Sequence, residues 1–278
     1  MTTRQPLDRF ETELLAELRD VVAQAGTSTA PRPPRRRRPA ISVAVAAAAT
    51  ATVFLATSGI GPDGASTASA ADVLLGAARH AESAPLEEGV YWYVHVIATF
   101  DEGTFKGTFD QQQWQRKDGA AWAAEDAEPA REIHGSSFSL CDKEVDYATL
   151  RALPTDPATL RAALEEATRP EDGAVPADEQ DRFVTDCTIS LLTMPVSNAV
   201  RGAAYRSLAS LPDTENLGRT TDRQGRTGTE LAFRDGSYSQ HIVVDPESGD
   251  LLQFDFAGSK GERQGTVLET GWTDTVLD

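Results

Sequence analysis

The stretch TGTELAFRDGSYSQHIVVDPESGDLLQFDF, residues 227–256, decides the fold class. Three runs in it, 227–233, 238–245 and 251–256, are rich in β-branched and aromatic residues, as strands are. Between them stand Arg234-Asp235-Gly236 and Pro246-Glu247-Ser248-Gly249-Asp250, combinations that turn a chain tightly. The same punctuation continues outward. Asp222-Arg223-Gln224-Gly225 precedes the stretch, and Gly258 to Glu262 follows it, leading into a fourth run from Gln264 to Thr273. Turn signals about 8 to 15 residues apart describe an antiparallel meander.

Working toward the N-terminus, residues 197–210 read as a helix capped by Ser197, and residues 182–194 as another. An acidic Pro/Gly loop covers 169–180. Before it, Asp156-Pro157 opens a helix to about Thr168, with a side-chain cap and a proline where its missing N–H costs nothing. Further back lies GVYWYVHVIATF, residues 89–100, in which Trp92, Val94 and Val96 alternate with Tyr91, Tyr93 and His95. Asp101 to Thr104 reads as its hairpin turn, 105–115 as the return strand, and 120–124 as a further strand after the turn at Lys117-Asp118-Gly119. Residues 71–83 place Leu74, Leu75, Ala78 and Ala81 at helical spacing. Trp92 and Val94 are expected to pack their face on Leu74 and Leu75. Strands, then helices, then strands, with no βαβ alternation, indicate an α+β domain over 71–278, an antiparallel sheet packed with helices.

The first 70 residues are different. The 24 residues from Pro39 to Pro62 carry no charge. About 20 apolar residues span a bilayer as a helix, so 39–61 reads as a transmembrane helix and 62–70 as a stalk. Arg35-Arg36-Arg37-Arg38 abuts the run, and such a cluster stays on the cytoplasmic side. The expected protein is therefore single-pass in the cell membrane, N-terminus cytoplasmic and C-terminus extracellular. The alternative is a secreted protein whose residues 1–70 form a signal peptide cleaved after Ala68-Ser69-Ala70. The cytoplasmic segment, 1–38, carries an amphipathic helix over 7–23 with Phe10, Leu14, Leu18 and Val21 on one stripe. A helix that short cannot bury its stripe alone, so these residues are expected to bind a cytoplasmic partner.

Charge and chemistry narrow the function by exclusion. The 278-residue chain carries a net −17. Residues 1–61 hold eight arginines against five acids, and the remainder holds 18 basic and 38 acidic side chains, a net of −20. Such a domain repels phosphate backbones, so no direct nucleic-acid binding is expected. His80, His95, His134 and His241 stand apart from each other and from cysteine, with no HExxH and no CxxC. No GxSxG, P-loop or dinucleotide fingerprint occurs. Neither enzyme activity nor a cofactor or metal is expected. Cys141 and Cys187 fall on the outer side, where oxidising surroundings favour a disulfide. Two buried thiols remain the alternative, because the sequence does not set their distance.

Several stretches, "ADVLLGAARHAES" (71–83), "YWYVHV" (91–96), "LPTDPATLRAAL" (153–164) and "VSNAVRGAAYRSLASLP" (196–212), are similar to actinobacterial single-pass membrane proteins. Those are commonly encoded beside extracytoplasmic-function sigma factors. "VVDPESGDLLQ" (243–253) also resembles the turn of LolA-like domains of the MucB/RseB kind. The resemblance implies an unclosed antiparallel half-barrel with helices on its concave face, and supplies no catalytic or zinc-binding residues. It implies a regulator or sensor in a sigma-factor pathway, with a sigma factor docking on residues 1–25. Alternatively, it implies an outer binding or carrier domain for an apolar, lipid-like ligand, in a groove with Tyr91 and Tyr93.

The topology is directly testable. In otherwise cysteine-accessible chains, an impermeant thiol reagent should label Ser66→Cys on intact cells and Ser28→Cys only after lysis. Labelling of both from outside would refute the single-pass reading.

Overall fold

The computed structural model describes residues 68–276, apart from 86–87, 103, 134–137, 142, 170–176, 236–237 and 259–260. The amphipathic helix expected over 7–23, the membrane segment expected over 39–61 and most of the expected stalk lie outside the described residues. Among the described residues, no helix is long and apolar enough to cross a membrane.

The first described element is α1, Ala70–Ser83. Ser69 caps it: the Asp72 N–H donates to Ser69 Oγ at 3.1 Å, and the Ser69 N–H donates back to Asp72 Oδ2 at 3.1 Å. This reciprocal box satisfies two helix-end donors and, with the Ser69 hydroxyl, holds the Asp72 carboxyl below the usual range. Four strands follow, β1 (Tyr91–Glu102), β2 (Phe105–Arg116), β3 (Ala121–Glu125) and β4 (Arg131–Ile133). A two-stranded insert comes next, β5 (Phe138–Leu140) and β6 (Lys143–Val145). The helices α2 (Tyr147–Arg151), α3 (Pro157–Thr168), α4 (Ala177–Ser190) and α5 (Asn198–Ala209) precede the closing meander. That meander is β7 (Thr214–Thr221), β8 (Thr227–Asp235), β9 (Tyr238–Val244), β10 (Leu251–Gly258) and β11 (Gly261–Thr273).

Nine strands form one sheet in the order β4-β3-β2-β1-β11-β10-β9-β8-β7, with every neighbouring pair antiparallel. The first and last long strands, β1 and β11, meet in the middle and join two up-and-down wings. The sheet does not close; β4 and β7 are its edges. The architecture is α+β, as the order of strands, then helices, then strands implies. Asp156 and Ser197 cap α3 and α5 as expected, accepting from Thr159 N–H at 2.9 Å and Val200 N–H at 3.2 Å. The helix expected to run to Met194 ends at Ser190 and tightens into a 3₁₀ turn, Leu191–Thr193, just before Pro195, which cannot continue a helix.

One face of the sheet carries the helices. Leu231, Phe233, Ile242 and Val244 from β8 and β9 are buried there with Leu74, Ala77, Ala78, Leu160, Val184, Val200 and Leu208. The expected contact of Trp92 with Leu74/Leu75 is corrected. Leu74 is fully buried, but Leu75 is 37% exposed. The Trp92 indole Nε1 instead donates to Thr193 O at 2.9 Å, and the Arg201 guanidinium lies 5.8 Å from its ring. The 3₁₀ turn and the start of α5 thus seat Trp92. A stripe of helical spacing identifies a buried face without identifying its partner, and the adjacent Leu75 falls just off that stripe.

α1 packs on α5 and on the β9–β10 turn. Gly249 in that turn has φ +78°, and a Cβ there would lie 2.7 Å from Ala77 O. The Tyr205 hydroxyl, fully buried on α5, donates to Gly249 O at 2.7 Å. Gly202 gives α1 similar room, since a Cβ would meet the Glu82 side chain within 3 Å. Arg206 grips Glu82 through both terminal guanidinium nitrogens, one bond measuring 2.8 Å, which keeps the Glu82 carboxyl below the usual range. Cys141 and Cys187 are disulfide-bonded, Cα to Cα 5.0 Å, tying the β5–β6 insert to α4. Closing a loop of 46 residues restricts the unfolded chain by about 4 kcal/mol on the loop-entropy model.

Tyr205→Phe leaves Gly249 O without its buried donor and should cost about 1–3 kcal/mol. Gly249→Ala adds backbone strain and a collision with helix backbone, so it should cost more. Melting temperatures of both variants check the order. An unchanged temperature in Gly249→Ala would disprove the close approach.

Candidate functional site

The sheet has two chemically distinct faces, because alternate residues on each strand point to opposite sides. On the face away from the helices stand Tyr91, Tyr93 and His95 of β1, with Gln112, Trp114 and Arg116 of β2 and Trp122 of β3. Tyr93 and Trp114 are opposite each other and stack at 5.0 Å with 27° between planes. Tyr91 meets Trp122 edge-on at 5.3 Å, and Arg116 lies 5.9 Å from the same indole. The Tyr93 hydroxyl donates to Gln112 Oε1 at 2.9 Å. Burial, then the negative charges of Glu269 and Asp110, push its phenol up to about 12.

Across β1 from Trp114, on β11, the residue opposite Tyr93 is Gly271. A hollow of about 390 Å³ opens there, lined by Glu88, Tyr93, Glu269, Gly271, Trp272 and Thr273 among others. Of the two tyrosines expected to line a groove, Tyr93 therefore borders a hollow, and Tyr91 packs on Trp122.

The helix-bearing face continues past the core as two cross-strand rows. One runs Phe109, Ala98, Gly265, Phe254, Ile242, Leu231 over β2, β1, β11, β10, β9 and β8. The next runs Gly107, Phe100, Arg263, Phe256, Gln240, Phe233. Leu231, Ile242 and Phe233 lie under the helices, whereas Phe100, Phe109, Phe254 and Phe256 are only half-buried. The rings lean into space that small residues leave. A Cβ on Gly265 would lie 2.2 Å from the Phe254 ring, and one on Gly107 2.8 Å from the Phe109 ring. Arg263 stands 5.7 Å from the Phe100 ring, and Gln240 Nε2 is buried without a hydrogen-bond partner. Sequence reasoning missed these rows, although Phe254 and Phe256 sit two apart in a recognised strand.

A second cavity, about 540 Å³, lies between the β2–β3 turn and the insert, against Lys117, Asp118, Phe138, Asp146 and Tyr147. The Lys117 ammonium occupies part of its aromatic wall, 4.5 Å from the Trp272 ring and 5.9 Å from Tyr147. Two histidines, His95 and His241, serve the sheet. His95 pairs with Asp110 at 2.6 Å, and His241 bridges Glu230 at 2.8 Å and Ser239 at 3.0 Å. Among the described residues, no group of His, Cys, Asp and Glu is arranged to hold a metal ion. The stripe Phe10, Leu14, Leu18, Val21 lies outside the described residues.

No family model matches the chain, and no curated protein does. Solved structures similar in arrangement include LprF from Mycobacterium bovis, 10% identical, covering 75% of this chain and 96% of that one, with a TM-score of 0.33. The MucA/MucB complex of Pseudomonas aeruginosa is 14% identical over 74% of this chain, at a TM-score of 0.32. The chain spans 58% of the length of that neighbour. The LolA superfamily protein NE2245 from Nitrosomonas europaea is 9% identical over 75% of this chain and 95% of its own, at a TM-score of 0.22.

Proposed function

We propose that the chain is a binding protein of the cell envelope, held at the membrane by residues 39–61, whose outer domain takes an apolar ligand on the helix-bearing face. The half-buried aromatic rows carry this reading. The Phe254 ring covers Gly265, and the half-buried rims of Phe100, Phe109, Phe254 and Phe256 make the proposed shallow trough beside the core. Each methylene moved out of water onto such a surface contributes about 0.8 kcal/mol, before the cost of ordering the ligand. Eight or more are needed to reach roughly 6 kcal/mol, so the trough suits a long alkyl chain better than a compact molecule. Arg263 and Gln240 Nε2 flank Phe256 and offer donors to an oxygen-bearing head group. The tether is supported at the domain's entry. Ser69 is the cap of α1, Ala70 is buried, and Ala68 O accepts from Asn216 Nδ2 at 2.8 Å, so cleavage after Ala70 would remove contacts the fold uses.

Full-length protein should bind a dansylated long-chain fatty acid saturably, with a blue shift of the dansyl emission. Phe256→Asp and Phe254→Asp, each of which puts a charge among the half-buried rings, should each weaken binding at least tenfold. Absence of saturable binding, or equal binding by both variants at an unchanged melting temperature, would overturn the reading.

A second reading concerns the other side of the membrane. The apolar stripe Phe10, Leu14, Leu18, Val21 has acidic flanks, and a sigma factor presents basic surface for DNA. We propose that residues 1–25 dock such a factor. Leu14→Asp should abolish its capture while leaving the outer domain's melting temperature unchanged; capture equal to wild type would refute the docking.

A further inference from the structure

We infer that the hollow over Gly271 binds an organic cation of the alkylammonium class. The site lies on the sheet face opposite the aromatic rows and stands independently of the ligand proposed for them.

Its shape comes from one missing side chain. Glu269, Gly271 and Thr273 share a face of β11, and Gly271 lies directly across from Tyr93. With no side chain at the middle position, a gap remains between Glu269 and Thr273, about 390 Å³ in volume, which suits a small ligand. Tyr93 separates Trp114 on β2 from Gly271 on β11. Trp114 stacks on one side of its ring, and the hollow lies on the other.

The lining specifies the charge of the occupant. Glu88 and Glu269 are exposed carboxylates at the rim, and none of the residues lining the hollow is basic. An anion is repelled by both carboxylates. An apolar molecule would strip water from them without replacing their hydrogen bonds, which costs free energy. A cation meets the opposite situation. It finds carboxylate acceptors and the negative face of a tyrosine ring, to which a partly desolvated cation is attracted. The phenol stays neutral, since burial and Glu269 push its ionisation up to about 12. The −20 charge of residues 62–278 adds a field that gathers cations near the domain. Thr273, on the same face as Glu269 and Gly271, is a further polar residue of the lining. A primary ammonium can use these acceptors; a methylated one relies more on the ring.

The chemistry could be delivered by a free amine or by a lysine side chain of another protein. Three probes distinguish these sources: cadaverine, tetramethylammonium, and Nα-acetyl-lysine amide. Each is titrated into the full-length protein and followed by calorimetry and by the fluorescence of the tryptophans. At least one should bind saturably. Glu269→Gln should weaken that binding tenfold or more, and Gly271→Val, which fills the gap, should abolish it. Glu247→Gln, an exposed acid in the β9–β10 turn, should change it less than twofold. Preference for the lysine amide assigns a protein partner, and preference for the other probes assigns a free amine. No saturable binding by any probe overturns the proposal. So does equal weakening by Glu269→Gln and Glu247→Gln, which marks diffuse attraction to an acidic surface. Should Gly271→Val fail to fold, the contrast between the two glutamate variants decides alone.

Discussion

The contact between Gly249 and the backbone of α1 is the constraint to which the helical layer is fitted. Ala77 O and the position of a Gly249 Cβ would be 2.7 Å apart, so only glycine allows the helix to lie where it does. Tyr205 then locks the turn from the other side through its hydroxyl, inside a fully buried site. Three chain segments far apart in sequence meet at this point: the entry helix, the last helix of the middle section, and the β9–β10 turn of the closing meander. Glu82 and Arg206 repeat the pairing at the surface, again across a glycine. Half-exposed ion pairs are worth little alone, typically less than 1 kcal/mol, so the buried glycine contact and its tyrosine govern the placement.

With the helices placed, the sheet divides into a covered part and an uncovered part. β8 and β9 send Leu231, Phe233, Ile242 and Val244 into the core. On β2, the same face presents Gln111, Gln113 and Gln115 opposite Val96, Val94 and Trp92. Phe100, Phe109, Phe254 and Phe256 sit at the transition, half in the core's reach and half outside it. Arg226 stitches the far side. Its guanidinium bonds the buried Asp222 carboxylate at 2.7 Å and donates to the carbonyls of Leu252 and Val267, where β10 begins and β11 loses its neighbour. Beyond Val267, β11 is paired on the β1 side, and there Glu269, Gly271 and Thr273 border the hollow.

Much of this was legible in the sequence. Alternating residues in β1, turn chemistry in the closing meander, and the caps at Asp156 and Ser197 are local signals, and local physics produces them. β7 was not recognised because TENLGRTT alternates intermediate and exposed positions, with Leu217 its one large apolar side chain and that on the surface. The insert strands are three residues each, too short for a period to show. The trough and the hollow could not be read from one-dimensional pattern at all. Each is made by small residues, Ala98 with Gly265 and Gly271, becoming neighbours of aromatic residues from strands distant in sequence. The disulfide was legible for a different reason: two cysteines allow a single intrachain pairing, and Cys141 and Cys187 make it.

The meeting of β1 with β11 has a consequence for how the chain is made. β1 lies in the middle of the sheet, yet the partner on one of its sides is β11, the last of the described strands to leave the ribosome. Tyr91 pairs with Thr273, some 180 residues later, so through most of synthesis β1 can offer its free side only to wrong partners. Its other side is filled at once by β2 through a short hairpin. The β1–β4 wing can therefore form early, while the α1 helix waits for α5 and the turn at Gly249. Folding is completed from the C-terminus inward, and a chain truncated before Gly261 would present an unpaired strand at its centre rather than a frayed end.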